Sequence, residues 1–186
     1  MTREFVFHTR GQTLALLDWA NLFSTTRRRW KIDEKKLFEY FKKYPEISAV
    51  RLFAGEDTHQ KSRDFLEKCR KIGFEVVTKK VKYMKDRRKC DFDVEITMAM
   101  ILGMSDFETF LLFSGDGDYA PVVKYLLKKG KRVFVIAEKR SFGREFFEMS
   151  PRPILLPLKI FRKKIEKTPN AQSLRGKIPA TAKPHL

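Results

Sequence analysis

The chain has 186 residues, with 40 Lys and Arg against 23 Asp and Glu, a formal net charge of +17. That length suits one domain followed by a tail, and the 42% hydrophobic share, with 17 Phe, is enough for an aromatic-rich core. No run of about 18 apolar residues is present, so no transmembrane helix is expected. Met1–His8 lacks the apolar centre of a signal peptide, and Cys69 and Cys90 form no disulfide framework, so a reducing cytoplasm is expected.

Apolar, β-branched or aromatic runs alternate with amphipathic stretches along the chain. Strands are predicted over Thr13–Asp18, Ala49–Ala54, Phe74–Val81, Thr109–Ser114 and Arg132–Ala137. Helices are predicted over Asp33–Tyr44, His59–Ile72, Asp93–Met104, Tyr119–Lys129 and Phe142–Met149. Leu37, Phe38 and Phe41 share one face of the first of these helices. Gly73 and Gly130 follow helical patterns and precede strands, as C-terminal caps do. Regular alternation of this kind implies an α/β domain of three layers, with a mainly parallel sheet flanked by helices. A further short strand over Ile154–Leu158 would be confined to an edge by Pro153 and Pro157. The domain is expected to span 1–161. From Arg162 to Leu186 the chain has seven Lys or Arg, one Glu and three Pro, the composition of a basic, disordered tail.

The chemistry concentrates where strands end. Phe110-Leu111-Leu112-Phe113 runs into Ser114-Gly115-Asp116-Gly117-Asp118-Tyr119, and Leu14-Ala15-Leu16-Leu17 runs into Asp18-Trp19-Ala20-Asn21. A third acidic group, Asp91-Phe92-Asp93-Val94-Glu95, opens a helix. Ligands of open parallel sheets bind outside the carboxyl ends of the strands, where these acids can converge. Clustered carboxylates repel one another unless a cation sits among them, and hard oxygen donors suit Mg²⁺ or Mn²⁺. Each group also has a plainer reading: Asp118 as a helix N-cap, Asp18 as a turn former, and the third group as acids matching a helix dipole. Asp91 and Glu95, four apart, share a helix face, and Asp93 lies on another side. The EF-hand is disfavoured, because the later ligands of its loop are missing.

Two basic clusters flank these segments: Arg27-Arg28-Arg29-Trp30-Lys31, and the run from Lys79 and Lys80 through Tyr83 to Arg87, Arg88 and Lys89. Their cations suit the phosphate backbone, and Trp30 and Tyr83 could stack on unpaired bases; a solvated charged loop is the alternative. An acidic metal site in a basic protein points to a nuclease. His8, His59 and His185 fit no metal spacing and no triad. A haloacid-dehalogenase phosphatase would need Asp-x-Asp after the first strand, and Asp18-Trp19-Ala20-Asn21 lacks the second Asp.

The order Asp18-x-x-Asn21, then Lys89-Cys90-Asp91-Phe92-Asp93-Val94, then Ser114-Gly115-Asp116-Gly117-Asp118-Tyr119 resembles the NYN domain, in particular its LabA-like (DUF88) branch, a relative of the PIN-like nucleases. The resemblance runs from about Thr13 to Met149. It implies a sheet in the order 3-2-1-4-5 and a divalent-metal ribonuclease site. On this resemblance Asp18, Asp93, Asp116 and Asp118 are the metal-binding acids and, with Asn21, the catalytic set; Asp91 is a further candidate ligand, and Ser114 a supporting hydrogen-bonding residue. The implied cofactor is Mg²⁺ or Mn²⁺. The implied partner is RNA, single-stranded or structured, held by Arg27, Arg28, Arg29, Trp30, Lys79, Lys80, Tyr83, Arg87 and Arg88, with no membrane partner and with room for a homodimer. Two departures stand out: Ala99 replaces an Asp common in such domains, and the closing Ser-x-x-Leu segment is only loosely kept in Ser141-Phe142-Gly143-Arg144. A non-catalytic RNA-binding or assembly module with the same fold is the rival reading.

Overall fold

The computed structural model describes residues 7–26, 30–84 and 87–168. Its elements are β1 (Thr13–Asp18), α1 (Trp19–Thr26), α2 (Glu34–Phe41), β2 (Ile47–Glu56), α3 (Gln60–Ile72), β3 (Glu75–Lys80), β4 (Lys82–Met84), β5 (Arg87–Lys89), α4 (Asp93–Leu102), β6 (Thr109–Phe113), α5 (Ala120–Lys128), β7 (Arg132–Ala137), α6 (Glu145–Glu148), β8 (Ile154–Pro157) and α7 (Arg162–Ile165).

Six strands form one sheet in the order β3-β2-β1-β6-β7-β8, and every neighbouring pair is parallel. Numbered within this sheet alone, the order is 3-2-1-4-5-6, the expected arrangement with one strand added at the edge. That added strand, β8, carries Pro157 at its end, where no inner strand needs its missing N–H.

Strands buried on both faces read as continuous apolar runs, and here alternate residues feed two cores. Leu14 and Leu16 of β1, Phe110 and Leu112 of β6, and Val133 and Val135 of β7 pack with Ile96 and Met100 of α4, Val123 and Leu126 of α5 and Phe146 of α6. Ala15, Leu17, Leu111, Phe113, Phe134 and Ile136 pack on the other side with Leu22 of α1, Leu37 and Phe41 of α2, Leu66 and Cys69 of α3 and Ile165 of α7. The result is a three-layer α/β domain.

Local signals set the helix ends. The Asp33 side chain accepts from the Lys36 N–H at 3.1 Å to start α2. Gly73, at φ 119°, closes α3 in the left-handed region that favours glycine.

Three elements differ from the sequence expectation. The basic run after β3, expected as a loop, forms the antiparallel ribbon β4–β5, with Tyr83 opposite Arg88. The turn expected at Asp18-Trp19-Ala20-Asn21 is the start of a helix, α1, which continues directly from β1. Arg162–Ile165, expected in the tail, is a helical turn docked on the domain. Ile165 is fully buried, the Asp33 N–H donates to its carbonyl at 2.7 Å, and the Lys167 N–H donates to the Lys31 carbonyl at 2.8 Å. The rest of the expected tail, 169–186, lies outside the described residues.

Candidate active site

Strand order reverses between β1 and β6, so the helices leaving their carboxyl ends diverge to opposite faces and leave a crevice. The acid-bearing segments meet there. Asp18, the last residue of β1, is buried. Its Oδ1 accepts from the Asn21 N–H at 3.1 Å, which starts α1. Its Oδ2 accepts from the Ser114 hydroxyl at 3.2 Å, and the Tyr119 hydroxyl lies 3.4 Å away. Asn21 reaches across the crevice: its side-chain carbonyl accepts from the Gly115 N–H at 3.3 Å. The two strand ends are therefore stitched together by side chains as well as by the ladder.

The turn after β6 is ordered from within. The Asp116 N–H donates to the Ser114 hydroxyl at 3.3 Å, and the Asp118 N–H donates to Asp116 Oδ1 at 3.1 Å. Asp116, rather than Asp118, is thus the capping acid of the 3-10 turn Gly117–Tyr119 that leads into α5. Asp118 is exposed at the rim. The segment before α6 clamps this turn from outside. The Gly143 N–H donates to the Gly115 carbonyl at 2.7 Å, and a β-carbon on Gly115 would fall 2.1 Å from the Ser141 carbonyl oxygen.

The third acidic group sorts by helix face. Lys79 at the end of β3 pairs with Glu95 at 2.8 Å and reaches Asp91 at 3.9 Å, with its ammonium 4.9 Å from the centre of the Phe92 ring. Asp91 and Glu95 are thereby turned toward a cation, while Asp93 feels the charges of Asp116, Asp91 and Asp118. Burial holds the Asp18 carboxyl above its ordinary range; the Asn21 N–H and the Ser114 hydroxyl draw it down, and the charges of Asp93 and Asp116 push it up again. Asp93 is likewise raised, first by burial. The Tyr119 phenol is pushed up by burial and then by Asp18 and Asp93. Asp18, Asp93 and Asp116 therefore share one electrostatic site.

Among the described residues, no three His, Cys, Asp or Glu side chains stand close enough together to hold a metal ion. The donor chemistry suits a hard divalent cation: carboxylate oxygens from three chain segments, with Asp93 and Asp116 both raising the proton affinity of Asp18. Asp18 is held by its donors, whereas Asp118 is exposed, a side chain whose rotamer no packing fixes.

The expected RNA-contacting residues divide. Lys80 and Tyr83 are exposed, and the Tyr83 hydroxyl donates to Asp57. Lys79 is engaged by Glu95, as above. Trp30 is buried in the core, with its indole N–H donating to Glu138 at 3.1 Å and the Arg162 guanidinium over its ring; stacking on a base would require it to leave the core. Arg27, Arg28 and Arg29 lie outside the described residues, as do the side chains of Arg87 and Arg88. Ala99 packs against the α4–α5 core.

Two participants escaped the sequence reading. The Tyr119 hydroxyl is one; its signal was a phenol at a position read only as aromatic. Glu145 is the other, its carboxylate lying so near the α-carbon of Gly117 that a β-carbon there would fall 2.1 Å from Oε2. No spacing in the sequence joins those two residues. An open groove between α2 and α3, lined by Lys35, Glu39, Asp64 and Lys71 among others, lies away from the carboxyl edge and gathers none of these acids.

The model of the NYN domain family matches residues 13–156. Low amplitude and bright protein LabA of Synechococcus elongatus is 28% identical over 170 residues, covering 86% of this chain and 90% of that protein. The crystal structure of a protein of unknown function from Vibrio parahaemolyticus superposes with a TM-score of 0.68 at 22% identity, over 88% of this chain and all of that one; that likeness is one of fold.

Proposed function

The chain belongs to the NYN domain family, within the PIN-like nuclease superfamily, and from that premise we propose that it is a divalent-metal-dependent ribonuclease hydrolysing RNA phosphodiester bonds. The observation that carries this reading is the meeting of Asp18, Asp93 and Asp116 at the β1–β6 crevice of a chain with net charge +17. Asp18, Asp93, Asp116 and Asp118 would hold Mg²⁺ or Mn²⁺, with Asp91 as a further candidate. A hard divalent ion held there would polarise a phosphoryl oxygen and lower the pKa of a bound water.

The chain's own residues do the rest. Ser114 and the Asn21 N–H fix the Asp18 carboxylate. Asn21 spends its side-chain carbonyl on Gly115, which leaves its amide NH₂ to donate to a substrate phosphate. Lys80 and the arginines at 27–29 and 87–88 supply phosphate contacts, which give affinity without sequence choice. Tyr83 offers an exposed ring to an unpaired base.

Asp116→Asn is nearly isosteric and tests this reading. Cleavage in Mg²⁺ or Mn²⁺ should fall about 100-fold or more, while RNA affinity holds or rises because one repulsive charge is gone. The rival, an RNA-binding or assembly module without catalysis, is favoured by Ala99 and by the spacing of the carboxylates. A wild-type protein that binds RNA and cleaves none of it in either metal would decide for that rival.

A further inference from the structure

The chain leaving β7 borders the acid-bearing turn. It runs through the 3-10 turn Lys139–Ser141 into α6. Its Gly143 N–H donates to the Gly115 carbonyl at 2.7 Å, and a β-carbon on Gly143 would fall 2.5 Å from the Gly117 α-carbon. Two aromatic rings sit on this segment. Phe142 is half-buried against the core of α4 and α5. Phe147 stands edge-on to it, with 6.3 Å between ring centres and 86° between planes. Phe147 is 49% exposed, although its neighbour Phe146 is fully buried. Lys139 and Arg140 are exposed at the head of the same segment.

We infer that the Phe142–Phe147 pair is a stacking platform for an unpaired base of single-stranded RNA, with Lys139 and Arg140 holding the adjoining phosphates. Every base has a π-face, and proteins that hold single strands combine aromatic rings with cations that track the backbone. Both parts occur here on one short segment, and that segment is packed against the turn carrying Asp116. Phe142 braces Phe147 from the core side, so the ring is in place before a base arrives and the ordering cost is small. α6 itself offers the backbone little, because Glu145 is exposed and Arg144 is paired with Glu148. The phosphate contacts therefore fall to the cations of the preceding turn. A duplex keeps its base faces stacked inside, so the platform selects unpaired strand.

The inference takes its strand to be RNA from the ribonuclease reading above, and it is tested by binding alone, in chelator. Fluorescence anisotropy of the full chain is read with oligoadenylate, with duplex RNA and with an abasic ribose-phosphate strand, all of one length. Phe147→Leu keeps an apolar side chain and removes the π-face. Its affinity for oligoadenylate should fall about tenfold, with the salt slope unchanged because no cation is lost. Phe147→Trp should bind within about threefold of wild type. Duplex and abasic strand should bind wild type and Phe147→Leu alike, within about twofold, since neither presents a free base. Lys139→Gln with Arg140→Gln should weaken binding to both single strands and lower the salt slope by roughly 1.4, at about 0.7 per phosphate contact. Unchanged oligoadenylate affinity in Phe147→Leu, an equal loss on the duplex or abasic strand, or loss of the folded circular dichroism spectrum would each overturn the inference. So would a wild type that binds no oligoadenylate, or one that sediments as a dimer which Phe147→Leu splits, since the ring would then belong to a protein contact. A wild type that stacks the base but cleaves no RNA in Mg²⁺ or Mn²⁺ removes the ribonuclease reading and leaves the platform standing. Cleavage by a wild type whose oligoadenylate affinity Phe147→Leu does not change removes the platform alone.

Discussion

Asp18 and Asp93 belong to a chain with a formal charge of +17, yet both carboxyls are held above their ordinary range. Most of the lysines act through water and salt, which screen charges beyond about 8 Å at physiological ionic strength. Burial and neighbouring acids act at short range and win. A carboxyl whose pKa is higher in the folded state than in the unfolded one binds its proton more tightly when folded. The stability this confers is fully present below the unfolded value, 3.8, and is lost as pH rises through the raised folded values. In chelator, an Asp18→Asn, Asp93→Asn double variant should therefore be more stable than wild type at pH 7. Its advantage should shrink as pH falls toward 4. Thermal melts of both proteins across that range measure the gap, and a gap that does not move with pH would contradict the shared acid site.

Among the elements, the turn after β6 is the most constrained. Its two glycines face different obstacles. At Gly115 a β-carbon meets the backbone carbonyl of Ser141 at 2.1 Å, whereas at Gly117 it meets the end of the flexible Glu145 side chain at 2.1 Å. Gly115→Ala should cost about 3 kcal/mol, at the upper end for forced overpacking, and Gly117→Ala about 1 kcal/mol or less, since Glu145 is exposed and can swing away. Urea unfolding of the pair orders them; equal costs would mean that the 139–145 segment is not clamped as described. Legibility in the sequence follows the same division. β1, β6 and β7 were readable because strands buried on both faces are continuous apolar runs. Asp18, Asp93 and Asp116 stood out as candidates because each sits where such a run ends or a helix begins. The ribbon β4–β5 was not, since its basic residues bury no face and carry no period-two apolar pattern. Trp30 was misplaced because its neighbours Arg27–Arg29 gave it a surface context, while the core that takes it in is built partly by Phe161 and Ile165, far along the chain.

At the scale of the whole molecule, the end of the described chain closes the layer to which α1, α2 and α3 belong. Lys36 Nζ donates to the Glu166 carbonyl at 3.0 Å and to the Thr168 hydroxyl at 2.9 Å, Phe161 stacks on Phe7 at 5.4 Å, and Ile165 fills the core below. Chains cut after Phe161 and after Thr168 should therefore behave differently. The first loses a buried Ile, worth about 2 kcal/mol, and its backbone bonds, so stability should fall by roughly 3 kcal/mol. The second loses Arg175, Lys177 and Lys183; its Tm should hold, and the salt slope of its RNA binding should fall by at most roughly 2, at about 0.7 per phosphate contact. Melts and salt titrations of both proteins check this, and equal Tm losses would place the boundary of the folded unit beyond Thr168.

The position of β1 at the centre of the sheet also sets a timetable. Chains fold from the N-terminus as they are made, and β1 is made first, but its neighbour β6 comes after β2 and β3. Asp18 leaves the ribosome with neither Ser114 to hold it nor Asp93 and Asp116 beside it, and the layer around Trp30 stays open until Ile165 emerges. Under the ribonuclease reading proposed above, this order would leave the nascent chain without an assembled centre until the turn after β6 has emerged, and so would spare the message being read up to that point.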